Sequence, residues 1–193
     1  EIGYLLLRDG NVLRTTDGGA TFGRGTAIPG TPASAAGGQG TPADAIFTTP
    51  DAGIVFLNGG NTAFKTTDAG ASWTPVPAVD PGAVTRMDAV SPTAFYAFGP
   101  DTLLRSSDGG VSWQKRSGSA GSNITGIGCS TDDVCLLSTA TGDKLLRTED
   151  GGATSTPVTA STAPIYAAGF ANPARAVALG AGGATVISDD SGK

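Results

Sequence analysis

The sequence predicts an all-β protein, a β-propeller built from four-stranded antiparallel blades. Three observations carry that reading. A turn motif returns at a near-constant interval, short apolar runs alternate with Gly, Asp and Pro punctuation, and helix-forming residues are scarce. The motif reads Ser/Thr-x-Asp-x-Gly-x-Ser/Thr-aromatic. It occurs around Asp17, Asp68, Asp108 and Asp150, and a fifth copy around Asp190 is cut short by the chain end. The aspartates are 51, 40, 42 and 40 residues apart. A fixed period of this length marks an array of equivalent supersecondary units. With only two glutamates, four lysines and one methionine in 193 residues, the composition disfavours helices.

Each period divides into four strand candidates, A to D. In the third they fall at 84–90, 93–99, 102–107 and 111–116. In the fourth they fall at 124–130, 134–139, 144–148 and 153–158, and in the second at 43–48, 53–58, 62–67 and 71–76. Runs of five to seven residues with turn residues between them fit antiparallel meanders. Several runs, such as Ile54-Val55-Phe56-Leu57, lack alternation, as expected of strands covered on both faces. Residues 1–25 supply only B, C and D, and residues 165–193 only A, B and C. The expected units are 1–25, 43–76, 84–116, 124–158 and 165–193, three complete and two partial. Because open arrays leave sticky edges, the expectation is a piece of a larger propeller, with a compact five-unit ring as the alternative.

The motif sits where C turns into D. The Asp carboxylate can accept backbone N–H bonds, the Gly supplies backbone freedom, and the Ser/Thr hydroxyls add further bonds. The aromatic residues Phe22, Trp73 and Trp113 can then cover the turn. Ser155 replaces the aromatic in the fourth copy, which should therefore be the least well packed.

These residues resemble the Asp-box, or bacterial neuraminidase repeat, across essentially the whole chain. The box occurs in sialidases, sortilin-type receptor domains, xyloglucan-specific glycoside hydrolases and the photosystem II stability/assembly factor family. The short units and the leads Leu103-Leu104-Arg105 and Leu145-Leu146-Arg147 are most similar to the assembly-factor type. The resemblance implies that Asp17, Gly19, Phe22, Asp68, Gly70, Trp73, Asp108, Gly110, Trp113, Asp150, Gly152 and Asp190 are structural. It places any active site on the opposite face, which carries the D–A and B–C loops. These families share the box and little chemistry, so the resemblance speaks to fold more than to function.

Composition narrows the chemistry. The net charge is −5 with no basic cluster, which disfavours nucleic acid. No apolar run approaches the length of a membrane helix. Histidine is absent, which removes the commonest general base and a major metal ligand. No cofactor or metal is expected. The sialidase set of three arginines, a Tyr–Glu pair and an acid is not recognisable, and Tyr4, Tyr96 and Tyr166 read as core. The free carboxylates Asp44, Asp51, Asp88, Asp101 and Asp143 show no catalytic spacing.

Cys129 and Cys135 flank a short polar turn between two apolar runs. A disulfide across that hairpin would imply an oxidising compartment; two free buried thiols are the alternative. The resemblance implies a pair stapling strands A and B. The chain begins at Glu1 without an initiator Met, as in a mature or trimmed product, and its Ala/Gly/Thr-rich style is bacterial. The binding candidates are the B–C turn residues Arg8, Asn61, Asp101 and Asp143 and the basic residues before each box, Arg14, Lys65, Arg105 and Arg147. For the basic set, local pairing between blades is the favoured reading. The long Gly/Pro/Ala-rich loop over 27–44 reads as a solvated connector. The functional expectation is a non-enzymatic, extracytoplasmic scaffold with a protein partner. The alternative is part of a sialidase- or glycosidase-like enzyme or a lectin, with a glycan as ligand.

Overall fold

A computed structural model describes residues 1–34, 38, 40–58, 62–76, 84–118, 121–140, 145–159 and 164–193. Among the described residues, eighteen strands form five antiparallel sheets in chain order. The first sheet holds β1 (Gly3–Leu6), β2 (Val12–Thr15) and β3 (Gly23–Arg24). The second holds β4 (Thr41–Phe47), β5 (Gly53–Asn58), β6 (Thr62–Thr66) and β7 (Thr74–Val76). The third comprises β8 (Arg86–Ala89), β9 (Phe95–Gly99), β10 (Thr102–Ser106) and β11 (Gln114–Lys115). The fourth comprises β12 (Ile124–Cys129), β13 (Cys135–Thr139), β14 (Leu145–Thr148) and β15 (Thr156–Val158). The fifth has β16 (Ile165–Phe170), β17 (Ala176–Gly180) and β18 (Thr185–Ser188). Each sheet is a meander, which short turns between neighbouring strands dictate.

The core lies between sheets. Four apolar clusters occur among the described residues, one at each junction of successive sheets. Val55, Leu57 and Phe64 meet Val12 and Tyr4 between the first two sheets. Ile54 and Phe56 meet Phe95, Ala97 and Trp113 at the next junction. Tyr96 and Phe98 meet Cys135 and Leu137, and Leu136 meets Ala176 and Ala178. Alternate residues of one strand thus serve two junctions. That is why the middle strands carry unbroken apolar runs.

Where no further sheet packs, the same positions are bare. Leu5 occupies the register of Val55, yet it is 46% exposed against 0%. Leu179 and Ile187, on the last two strands, are also exposed.

Three expectations need correction. Each fourth strand starts later than its apolar run suggested, at Thr74, Gln114 and Thr156, because the turn motif uses the chain up to the aromatic position. Tyr166 is exposed rather than core, while Tyr96 is fully buried. The loop after β3 is not wholly solvated. Ile28 and Thr31 are completely buried, and the amides of Ile28 and Ala33 donate to the carbonyls of Gly10 and Asp9.

Candidate functional site

The five aspartate corners are built alike. The first Ser/Thr hydroxyl donates to the carboxylate (Thr15 to Asp17, 2.7 Å; Ser106 to Asp108, 2.8 Å). It also accepts the amide of the glycine four residues on (Gly19 and Gly70, both 2.9 Å). The second carboxylate oxygen takes the next hydroxyl, from Thr21, Ser72, Ser112 or Thr154. The second glycine of each corner has positive φ, for example +86° at Gly152, a region closed to most side chains. Ala69 takes the first glycine's place at φ +61°.

These donors hold the carboxyls low. The hydroxyl and amide of Ser72 bring Asp68 down to about 2, and those of Thr154 do the same for Asp150. Thr21 holds Asp17 lower still. At Asp108 burial pushes the carboxyl up, but bonds from Ser112 and Ser106 outweigh it. Every corner also docks on its own sheet. Gly18, Ala69, Gly109, Gly151 and Ser191 donate their amides to the carbonyls of Glu1, Asp51, Thr93, Asp133 and Ala174.

The second and fourth corners also lock onto the preceding sheet. Thr26 N–H donates to Gly70 O and Gly118 N–H to Gly152 O. Trp73 Nε1 returns a bond to Thr26 O at 3.1 Å. Ser155, expected to leave its corner poorly packed, donates its hydroxyl to Gly118 O, the equivalent carbonyl. Trp113 instead donates to Gly110 O within its own corner and sets its ring edge-on to Phe56.

The arginines before the corners reach forward to the next sheet or to a neighbour in their own. Arg105 bonds Asp133 at 2.6 Å. Arg147 pairs with Glu149 and donates to Ser191 O, where the fifth sheet has Ala174 in place of an acid. Arg14 lies 4.0 Å from Asp51 and bonds Tyr4 Oη. Lys65 sits half-buried on β6. The acid in the following turn is the matching signal in the sequence, and only the fold connects the two.

The first strands of sheets two to five, β4, β8, β12 and β16, come together on the inside. They line a cavity of about 490 Å³ that includes Asp44, Arg86, Asp88, Thr125 and Ala167. Asp44 crosses the junction by accepting the Met87 amide at 2.8 Å. Crowding by the inner strands and the Asp44 charge push the Asp88 carboxyl up, against the pull of Arg86. This channel brings Asp44 and Asp88 together, although nothing in their spacing pairs them. Arg8 lines a separate cavity beside β1, and Asp101 occupies the tight β9–β10 turn at φ +53°. Asn61 and Asp143 lie outside the described residues. No group of three His, Cys, Asp or Glu suited to a metal occurs among the described residues.

Cys129 and Cys135 form a disulfide joining β12 to β13. No helix is long and apolar enough to cross a membrane among the described residues.

No family model and no curated protein matches the chain. Solved structures do. The chain superposes on YCF48 bound to a D1 peptide with TM-score 0.74 and 20% identity, covering 100% of this chain and 63% of that one. The fold is a β-propeller resembling that of YCF48. YCF48 from Cyanidioschyzon merolae gives TM-score 0.70 at 16% identity over 97% of this chain and 63% of its own. A GH74 xyloglucanase from Xanthomonas campestris gives 0.70 at 20% identity over 98% of this chain but 35% of the enzyme. The chain therefore spans less than two thirds of these neighbours, and the likeness is one of fold.

Proposed function

We propose that this chain is part of a non-enzymatic propeller scaffold that works outside the cytoplasm and binds a protein partner. One observation carries the reading. The repeated aspartates, the most conspicuous acids in the sequence, spend their oxygens inside their own turns, and four of them use both. A carboxylate so held is a poor proton donor near neutrality. The Cys129–Cys135 bond supports an oxidising compartment. A propeller of similar shape, YCF48, has a peptide bound to it. The inner channel, with acidic and basic groups facing each other, is the surface to which partner contact is assigned.

Asp44 and Asp88 on neighbouring inner strands favour a second reading, a carbohydrate-active fragment. A peptide array, a glycan array and hydrolysis assays on xyloglucan and sialosides separate the two. Saturable peptide binding without hydrolysis is expected. Turnover of either glycan, lost in Asp88→Asn, would replace the scaffold reading by the enzymatic one.

A further inference from the structure

The inner strands turn main-chain groups into the channel. β4, β8, β12 and β16 each pair on one side only, with β5, β9, β13 and β17. The bonds that close these hairpins fix which groups face inward. Thr48, Val90, Ser130 and Ala171 donate their amides to the carbonyls of Ala52, Ala94, Val134 and Arg175. Backbone groups alternate sides along an antiparallel strand. Counted back from those bonds, the N–H groups of Ala45, Met87, Ile127 and Ala168 point away from the second strand and into the channel. The four hold one register position, opposite Val55, Ala97, Leu137 and Ala178.

Two of these amides are satisfied, and by a carboxylate. Asp44 Oδ1 accepts the Ala45 N–H and Asp44 Oδ2 accepts the Met87 N–H, both at 2.8 Å. One acid thus spans two neighbouring inner strands. Asp44 lies opposite Phe56; the equivalent residues are Arg86, Gly126 and Ala167, opposite Phe98, Ser138 and Leu179. A guanidinium only donates, and glycine and alanine carry no side-chain acceptor. The Ile127 and Ala168 amides accordingly have no acceptor among the described residues.

Both amides open into the cavity that Arg86 lines. It encloses about 490 Å³, and Thr125, Gly126, Ile127, Ala167 and Ala168 form its far side. That volume suits a short segment and its side chain better than a lone ion. β16 lies directly against β12 there, since a Cβ on Gly128 would come within 2.4 Å of Ala168 O. Arg86 is exposed and belongs to none of the ion pairs among the described residues. Asp88, on the same face of β8, offsets part of its pull on an anion. Asp44 shows that a carboxylate held by two amides is nevertheless accommodated beside Asp88.

We propose that the Ile127 and Ala168 amides, with Arg86 beside them, bind the carboxylate of an acidic side chain on the partner protein. The ligand repeats between β12 and β16 what Asp44 does between β4 and β8. Main-chain donors set the position of the acid, and the guanidinium makes the bonding charge-assisted, the stronger kind. The proposal deepens the protein-binding reading of the channel and rests on it.

The test follows the amide signals of the isotope-labelled chain by NMR as acetyl-Gly-Asp-Gly-amide is added. Saturable downfield shifts of the Ile127 and Ala168 amides are expected, with Met87 still because Asp44 already occupies it. Acetyl-Gly-Asn-Gly-amide should bind about tenfold more weakly or worse, the margin between a charged and a neutral acceptor. Arg86→Gln should weaken the Asp peptide by about fivefold or more, and Asp88→Asn should strengthen it. A Cβ at Gly126 would lie 2.9 Å from Ser138 Oγ. Gly126→Asp combined with Ser138→Ala should therefore supply the acid from the chain itself and abolish binding, with the circular-dichroism spectrum kept. Equal binding of the Asp and Asn peptides, or no effect of Arg86→Gln, overturns the proposal. Acetate binding as tightly as the peptide reduces the site to an adventitious ion only and overturns it too. So does binding confined to acetyl-Gly-Gly-Gly, whose acid is a chain terminus. If Ile127 and Ala168 stay still with every probe while array peptides bind, the proposal falls and the scaffold reading stands. If no array peptide binds either, both fall.

Discussion

The third corner and the first have the same internal hydrogen bonds and opposite surroundings. Around Asp108, Trp113 is 4% exposed and packs on Phe56 of the preceding sheet. Around Asp17, Phe22 is 41% exposed, and the space a Cβ on Gly19 would occupy is bounded only by Phe22 itself. The turn therefore forms without a neighbour, while its burial comes from the neighbour. Corner and junction are separable layers of stability, much as in other repeat arrays with intrinsic and interfacial terms.

Aromatic truncation should separate the layers most widely. Trp113→Ala is expected to cost about 3–5 kcal/mol, in line with loss of a fully packed large side chain. Phe22→Ala should cost under about 1 kcal/mol, as at ordinary surface sites. Urea unfolding monitored by circular dichroism measures both. Equal losses would mean that the first corner is covered in solution.

Glycine replacement is the next contrast. Gly19→Ala and Gly152→Ala both force a side chain into positive φ, at about 1–2 kcal/mol. At Gly152 the new Cβ would also lie 2.6 Å from Leu103 of the preceding sheet. That overpacking adds about 1–3 kcal/mol, so Gly152→Ala should be the more damaging of the pair in the same unfolding experiment.

Acid should act on both corners alike. The folded carboxyls lie below their unfolded value of about 3.9, with Asp68 and Asp150 at about 2 and Asp17 lower. A depressed carboxyl stabilises the fold above its unfolded value, and the contribution is lost as pH falls through the folded one. Stability should therefore decline from about pH 4 to about pH 2. Carboxyl carbon shifts followed by NMR should show Asp17 as depressed as the packed corners. A normal Asp17 titration would show that the junction, not the turn, holds the charge.

The smallest effect belongs to the bare last face. Leu179→Lys should change stability by no more than about 0.5 kcal/mol and raise solubility, whereas a charge at Phe56, which holds the equivalent position in the second sheet, would unfold the second junction.

The sheets were legible because two-sided burial leaves apolar runs that punctuation residues cut cleanly. The fourth strands were harder to place, since three or four residues after each Asp look strand-like but close the turn. Tyr166 was misread because an apolar neighbourhood in sequence says nothing about which face lacks a covering sheet. The basic residues became intelligible only through partners such as Asp133, which lie a whole turn away in the next unit. The inner channel combines residues from four periods, so no single stretch of sequence announces it.

Thr26 and Gly118 offer the same carbonyl to the next corner, and an indole N–H accepts the invitation in one case and a serine hydroxyl in the other. A joint whose fixed member is main chain tolerates turnover in the member that varies. Such an array can erode its written signature, copy by copy, long before its shape drifts. Kinship among proteins of this type is then better traced by the rhythm of their turns than by the letters at any one of them.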